Sequence, residues 1–578
     1  VRPAVELLEG RCVPAVFFAS PAAADGAAGS LRAAVLQANG DSQDDTILLG
    51  AGVYNLTLAN ASGLQENSAA TGDLDVTGAN HTVTIQGAGA GATVIDAHQI
   101  DRVFQVLPGA SLVLRALSVR GGLAQDDGTA GAYAGSTNAF GGGILNQGTM
   151  VLDHVLVEGN EALAGNVASR FSQGFVAAGG GVFSSGTLTM IDSTARGNLA
   201  LGGNGIPGGQ PMGSAGGNAV GGGVAVAFMG ATGTITACTI SGNTALGGQG
   251  GAGVAATGDL DGGPGGDAFG GGLFVGEGTG VELSDSTVAG NTALGGLGGL
   301  GAFDTNTGTA GAGGDGGAGR GGGIALDGTP NRPGQAALFN STIAANSALG
   351  GQGGPPGRGT ATGNPGAGEG GGLFAGNNPN VTVTTSSCLF AGNAAAAAPD
   401  FDGTFGSAAA TLVQDGAGAG GINNGVNGNL VGVDPRLGPL ADNGGPTQTM
   451  ALLPGSPAID HGRNDLGLAT DQRGFARVAN GAADIGAFEV QRQPAPPPPA
   501  PPPDNPQAVV LRHRGQSFVE VLSSRTGRVR SVLGPYRGHV TVRLLDLDGD
   551  GTLDLLLLLP HKHKLAFDGA TLAPLPAG

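Results

Sequence analysis

The sequence predicts an all-β protein: a right-handed parallel β-helix solenoid with glycine-rich inserts, followed by a small, propeller-blade-like C-terminal β module. Three observations carry this expectation. First, a phrase recurs six times: three glycines, an aliphatic residue, a strand-like run, then asparagine. The triplets start at Gly141, Gly179, Gly221, Gly270, Gly321 and Gly370, and the runs close at Asn160, Asn198, Asn243, Asn291, Asn346 and Asn393. Consecutive triplets lie 38 to 51 residues apart, a period of solenoids and arrays. Second, the runs alternate with a phase slip, as in Met150 and Leu152 followed by Val155 and Val157. Two short strands joined by a bend give that pattern. Third, glycine numbers 118 of 578 residues, aromatics are 4% and tryptophan is absent. This composition suits a narrow aliphatic core rather than a large globular one, and the glycine lacks collagen's strict triplet period.

One coil cannot bury its apolar face alone, but stacked coils can. The six asparagines are then expected in one hydrogen-bonded column. A propeller needs about four strands per repeat, and these units offer two or three.

The net charge of −19 argues against a nucleic-acid partner. Cys12, Cys238 and Cys388 form no disulfide or metal pattern, and the last two are expected as small apolar core residues. No run of 18 apolar residues suggests a transmembrane helix.

Residues 1–24 are expected to be a leader or tether. The stretch Glu6-Leu7-Leu8-Glu9-Gly10-Arg11-Cys12-Val13-Pro14 resembles the LE-x-R-x-x-P opening of large planctomycete surface proteins. Residues 25–80 are expected to form a capping module. There Gly29 to Asn39 has helical spacing, with Leu31, Val35 and Leu36 on one face. The segment resembles the bacterial CSLREA module, with Gly29 in place of its Cys and Ala33 in place of its Glu. The resemblance implies a position ahead of surface repeats, and a helix there shields the open end of the first coil.

Residues 81–429 hold the repeats. The GGG-aliphatic phrase, with Phe390-Ala391-Gly392-Asn393, resembles the paired GGA[I/L] and FxxN motifs of polymorphic membrane protein repeats. That implies a secreted or surface β-helix, often linked to adhesion. Glycine-rich inserts separate each Asn from the next triplet and are expected to leave from one corner. Mobile loops are the simple reading, because such segments bury little apolar surface. A packed layer of extended polyglycine strands, or a partner-binding face, is the sharper one.

Residues 430–490 contain Asn443-Gly444-Gly445-Pro446, Asp471-Gln472-Arg473-Gly474 and Asp484-Ile485-Gly486-Ala487-Phe488-Glu489. They closely resemble the choice-of-anchor Q domain, which follows such repeats. A C-terminal cap is expected, with Arg473 paired to a carboxylate under the last coil. Residues 491–506 form a proline-rich spacer, extended at about 3.1 Å per residue.

Enzymatic β-helices that act on polysaccharides carry clustered carboxylates. Here Asp153, Asp192 and Asp285 fall near matching repeat positions, six or seven residues before Asn, and are expected as solvated residues on or near the outward face. Asp96, His98, Asp101 and Arg102 are the densest local cluster, at an expected coil corner. His561-Lys562-His563 suits an exposed hairpin end. Triple glycines here precede strands rather than helices, so they are not phosphate loops.

In residues 507–578, Asp546-Leu547-Asp548-Gly549-Asp550-Gly551-Thr552-Leu553-Asp554 places carboxylates at positions one, three, five and nine of a tight loop. Asp546, Asp548, Asp550 and Asp554 are the expected Ca²⁺ ligands, since hard cations take several oxygens. An EF-hand needs a Glu at position twelve, where Leu557 stands, and a strand-length leucine run follows. The segment resembles an FG-GAP or VCBS repeat, which implies a calcium loop in a β hairpin.

The expected protein is an exported, non-enzymatic bacterial surface or envelope protein, adhesive or structural. Its expected partners are cell-envelope components or an extracellular polysaccharide or protein. The alternative is a pectate-lyase-like β-helix that binds or degrades polysaccharide.

Overall fold

A computed structural model describes residues 15–40, 42–166, 173–208, 212–358, 360–376, 378–491, 505–548 and 550–576. The leader 1–14, including Cys12, and the proline stretch 492–504 lie outside the described residues. The chain divides into two units between Arg492 and Gln493.

The first unit is a parallel β-helix, and each recurring phrase makes one coil. Ile144–Asn146 opens the coil of Asn160, and Thr149–Glu158 follows, bent at His154. Equivalent strands pair in parallel from coil to coil: Ile144 with Val182, then Val224, Leu273, Ile324 and Leu373. The phase slip in the sequence is a left-handed residue at the bend. His154, Asp192, Ala237, Asp285, Asn340 and Ser387 all have φ between 43° and 56°. Inward residues such as Leu188, Met190, Ile240, Leu283 and Val288 join one aliphatic core.

The asparagines do form a column. Asn160 Nδ2 donates to Asn198 Oδ1 at 3.0 Å, and the pattern continues through Asn243, Asn291 and Asn346 to Asn393. Each Nδ2 also donates to a carbonyl of the preceding coil, as Asn243 does to Ala195. The column ends on Asp400, whose Oδ1 accepts from Asn393 at 2.8 Å. Cys238 and Cys388 sit in a second column, at the bend. There Cys238 Sγ accepts from the Ser193 amide at 3.4 Å, and Ser286 Oγ accepts from the Cys238 amide at 3.0 Å. Both thiols are free, and burial pushes them up to about 12.

The glycine triplet is fixed by a crossing. Its first member turns with φ near +60°, as in Gly270 at 63°. A Cβ on the second, Gly271, would lie 2.4 Å from the Thr292 carbonyl oxygen of the departing strand. The chain leaves the coil after Asn and returns through the triplet, and the two passes touch.

The stack starts well before residue 81. Val16–Ala19 pairs in parallel with Asp45–Leu49, and Leu74–Val76 with Phe104–Val106. The helix Leu31–Ala38 joins the same core through Leu31, Ala34, Val35 and Ala38. Leu36 is 41% exposed instead of buried. Arg32 takes that interior place, bonded to Asp25 at 2.8 Å and to the carbonyls of Ala69, Gly72 and Asp73.

Leu430–Val431 adds a last parallel rung to the stack, on Leu412–Val413, and the rest of the segment to residue 490 lies along the flank of the solenoid rather than under its last coil. Thr239 Oγ1 donates to Gln448 O at 2.6 Å, Thr287 Oγ1 to Gln472 Oε1 at 2.6 Å, and the Ala487 amide to Thr342 Oγ1 at 3.0 Å. Ser386 Oγ donates to Asp465 at 2.7 Å. The segment therefore clamps four successive coils. Arg473 pairs inside the clamp, with Asp471 at 2.7 Å, and stacks on Phe488. Arg477 makes the link to the solenoid, at 3.3 Å from Asp285.

The inserts are packed, which overturns the mobile-loop reading. Each runs out from the Asn corner and back as two antiparallel extended segments. Their hydrogen bonds repeat every three residues, the period of a polyproline II helix. Gly248 donates to Gly217 O, Gly266 to Gly248 O, Gly296 to Gly266 O, Gly317 to Gly296 O and Gly351 to Gly317 O, all at 2.8 to 2.9 Å. These bonds zigzag between outgoing and returning segments. Lateral bonds tie each segment to the next coil, such as Gly295 to Leu349 O and Gly298 to Gln352 O, both at 2.9 Å. The third residue of each period faces solvent; Leu297 and Leu300 are each 50% exposed. At the inner positions a side chain has no room, since a Cβ on Gly299 would lie 2.0 Å from Gly251 O. This layer is stabilised by backbone hydrogen bonds instead of apolar burial, which composition arguments do not weigh.

The second unit holds two antiparallel sheets. One has Pro506–His513, Gln516–Ser523 and Val529–Arg537, the other Thr541–Leu545, Asp554–Leu558, Lys564–Phe567 and Pro574–Leu575. Val519, Val521, Val540, Leu555 and Leu557 form their common core.

Two stability outcomes follow. Asn243→Ala removes a buried acceptor and two donors from the column. It should cost about 3 kcal/mol, since each stranded buried polar group costs roughly 1–3 kcal/mol, measured as a drop in the urea midpoint. Gly299→Ala should destabilise by about 2 kcal/mol through overpacking against backbone that cannot yield. Leu297→Ala should leave the thermal midpoint nearly unchanged. Equal midpoints for the two variants would contradict the packed layer.

Candidate functional site

The acidic loop of the second unit splits into two overlapping carboxylate groups. Oxygens of Asp546, Asp548 and Asp554 lie within 4.8 Å of one another, and so do those of Asp548, Asp550 and Asp568. Asp548 belongs to both. Asp568 enters from beyond the strand Lys564–Phe567 and was not expected from the loop sequence. The hairpin brings it back to the loop through one bond, from the Gly569 amide to Asp554 Oδ1 at 2.8 Å. Asp554 is fully buried, and its other oxygen accepts from the Leu547 amide at 2.8 Å. It shapes the loop from inside, while Asp546, Asp548 and Asp550 are exposed. The loop folds through its own carboxylates: Asp546 accepts from Gly551 and Asp550 from Thr552. At Asp548 the amide of Asp550 favours the ionised form. Desolvation and repulsion from Asp550, Asp554 and Asp568 outweigh it and raise the carboxyl. Such mutual repulsion is what a divalent cation relieves. His561 and Lys562 are exposed in the turn before the next strand and join neither group.

Of the three outward aspartates expected in the repeats, two are outward. Asp153 bridges Arg115 at 3.2 Å and His154 at 2.6 Å. Asp192 lies 3.9 Å from His154 Nε2, and burial raises its carboxyl. Asp285 is buried, because the clamp covers its coil. Burial, partly offset by Arg477, raises it to about 7. The Glu489 carboxyl behind Arg477 is also raised by burial to about 7.

Asp96, His98, Asp101 and Arg102 divide into two places. His98 is half exposed and bonds Asn55 at 2.7 Å. Arg102 is fully buried, 2.6 Å from Asp126, 3.4 Å from Asp73 and 3.6 Å from Asp101. Burial raises Asp73 well above the usual range, helped by repulsion from Asp75 and Asp101, and raises Asp75 to about 8. This closed cluster ties the strand Leu74–Val76 to the first insert, through Asp126. Asp73 and Asp75 reach it from the strand Leu74–Val76 and the residue before it, and Asp126 from the first insert, far along the chain, so no spacing joined them to Arg102.

A cleft opens on the clamped flank beside coils the clamp leaves bare. Two depressions of about 600 and 490 Å³ share Arg196. The first holds Asp96, Arg120 and Glu158; the second holds His154, Asp192 and Asp442. Gln448 and Thr447 of the clamp wall the second and are fixed to Thr239 and Ala237 by 2.6 and 3.0 Å bonds.

No family model, curated protein or solved structure matches the chain.

The clamp carries a pH dependence. Asp285 and Glu489 both titrate higher when folded than ordinary carboxyls, so the folded state binds more protons. Their contribution is fully present below about pH 4 and is lost as pH rises through about 7. The calorimetric midpoint of the chain should fall between pH 5 and pH 8, by a smaller amount in Asp285→Asn. An unchanged slope in that variant would place the titration elsewhere.

Proposed function

We propose that this chain is an exported bacterial surface or envelope protein that works as a stiff, non-enzymatic scaffold, adhesive or structural in role. The observation that carries the reading is the glycine layer joined to the β-helix. It sets a second hydrogen-bonded layer on the β-helix among the described residues, a form suited to presenting side chains at fixed spacing outside a cell. The clamp supports it, since it locks four coils from the side. Antibodies raised against the exposed Leu297–Leu300 face should label intact cells of the source organism. Labelling only after lysis would refute the surface role.

The acidic loop is proposed to bind Ca²⁺, with Asp546, Asp548 and Asp550 as ligands, Asp568 as an added one, and Asp554 buried beneath them. Calorimetric titration of the full chain should give a Kd of about 10⁻⁴ to 10⁻³ M, the range of extracellular modules. Asp548→Ala, which removes the carboxylate common to both groups, should abolish the heat. Undiminished heat in that variant would refute the site.

A second reading, a polysaccharide-acting enzyme, is favoured by His154 standing between Asp153 and Asp192 at the edge of the cleft. A histidine oriented by one carboxylate and facing a second with a raised proton affinity is a general acid–base arrangement. Release of new reducing ends from a polysaccharide panel, lost in His154→Ala, would favour it over the scaffold.

A further inference from the structure

We propose that the flank cleft is a binding site for a neutral, linear polysaccharide laid along the solenoid axis. The inference deepens the surface reading by naming a ligand class and a place for it.

The floor of the cleft is a ladder. Asp96 is in register with Arg120, Arg120 with Glu158, Glu158 with Arg196, and Arg196 with Ser241. The charges alternate, and the side chains pair: Arg120 with Asp96 at 2.8 Å, Arg196 with Glu158 at 2.7 Å. Each step is one coil, about 4.8 Å, close to the advance of one sugar in an extended pyranose chain. Successive sugars therefore meet carboxylate and guanidinium rungs in turn, and each adjacent pair of rungs, Asp96 with Arg120 and Glu158 with Arg196, sets a donor beside an acceptor. Vicinal hydroxyls take such donor–acceptor pairs.

The same column changes character under the clamp. Beyond Ser241 its residues are Ala289 and Ala344, buried against Met450 of the clamp, and then Ala391, buried among the clamp's apolar residues. The charged rungs thus stop where the clamp begins, and its Asp442 and Gln448 form the end wall. A groove with a polar floor and one closed end fits a chain terminus or a chain that bends away there.

The balance of charge selects the sugar. Arg120 and Arg196 face Asp96, Glu158, Asp192 and Asp442, with His154 beside them. Carboxylates outnumber guanidinium groups, which disfavours an acidic glycan by like-charge repulsion.

The test is calorimetric titration of the full chain with cellohexaose, chitohexaose and hexagalacturonate. At least one neutral hexamer should bind, and hexagalacturonate should bind more weakly. Arg196→Ala removes a half-exposed side chain and should leave the thermal midpoint in place. It should weaken binding about tenfold, the worth of a charge-assisted hydrogen bond. Thr194 lines the second depression beside Arg196, and Thr194→Trp should fill it and block binding. Thr232→Trp, on another face, should not. No heat from either neutral hexamer at millimolar concentration, preference for the acidic one, or equal loss in Thr232→Trp would overturn the proposal. The titration needs no cell, so it can fail while surface labelling succeeds, and the reverse.

Discussion

Everything in the first unit hangs on the crossing at the asparagine corner. The chain must leave each coil and come back to it without opening the core. The departing strand and the returning triplet therefore pass at contact distance, and Gly271 against Thr292 shows how little room remains. The asparagine is the other half of the joint. Its amide bonds the next asparagine and the preceding coil at once, so no donor at the crowded corner is left buried and unpaired. The joint is the same in all six coils, and what hangs from it is free to vary. That is why insert length changes while the phrase does not.

The inserts answer the opposite problem. A glycine segment loses more conformational freedom on ordering than any other, and it has no side chain to bury. It orders here because the stack of coils sets many such segments side by side at one spacing. Backbone donors and acceptors then meet in two directions. The lattice also has an end written into it. Lateral donors of inner inserts are glycines, such as Gly298, Gly301, Gly313 and Gly316. On the last insert the matching positions of the latter three are Pro356, Thr362 and Pro365. With no further insert beside it, a side chain has space there, and the two prolines offer no N–H to a stray edge.

The repeat, the asparagine column and the bend were legible in the sequence because each depends on one coil and its neighbour. Periodicity reports such contacts directly. The upstream coils were missed because residues 16–76 form strands in the same sheets without the glycine phrase. The burial of Arg32 was missed because helical spacing marks a face without saying which charged residue it can hold. The clamp was placed at the end of the stack instead of along its side, since the motifs of residues 430–490 carry no record of what they touch. Its contact partners, Thr239, Thr287 and Thr342, share one register position in successive coils, and nothing in that spacing marks them as contacts. For the acidic loop, the linear spacing located Asp546 to Asp554. Asp568 arrives by strand pairing and had no signal nearby.

The clamp explains why one aspartate position in the repeats has two chemistries. Asp192 and Asp285 occupy the same bend with the same left-handed backbone. At Asp192 the flank is open, and the carboxyl faces His154 and the cleft. At Asp285 the clamp lies over the bend, and the carboxyl is enclosed with Arg477. Arg477 is itself fully buried and also donates to the carbonyls of Asp484 and Gly486. A buried ion pair of this kind adds little net stability, yet removing one partner leaves the other stranded. Its value is positional: the bends of the four clamped coils carry Ala237, Asp285, Asn340 and Ser387, and of these Asp285 alone is an acid that can meet Arg477. The pair sets where along a repetitive surface the clamp comes to rest, and therefore which coils stay bare beside it.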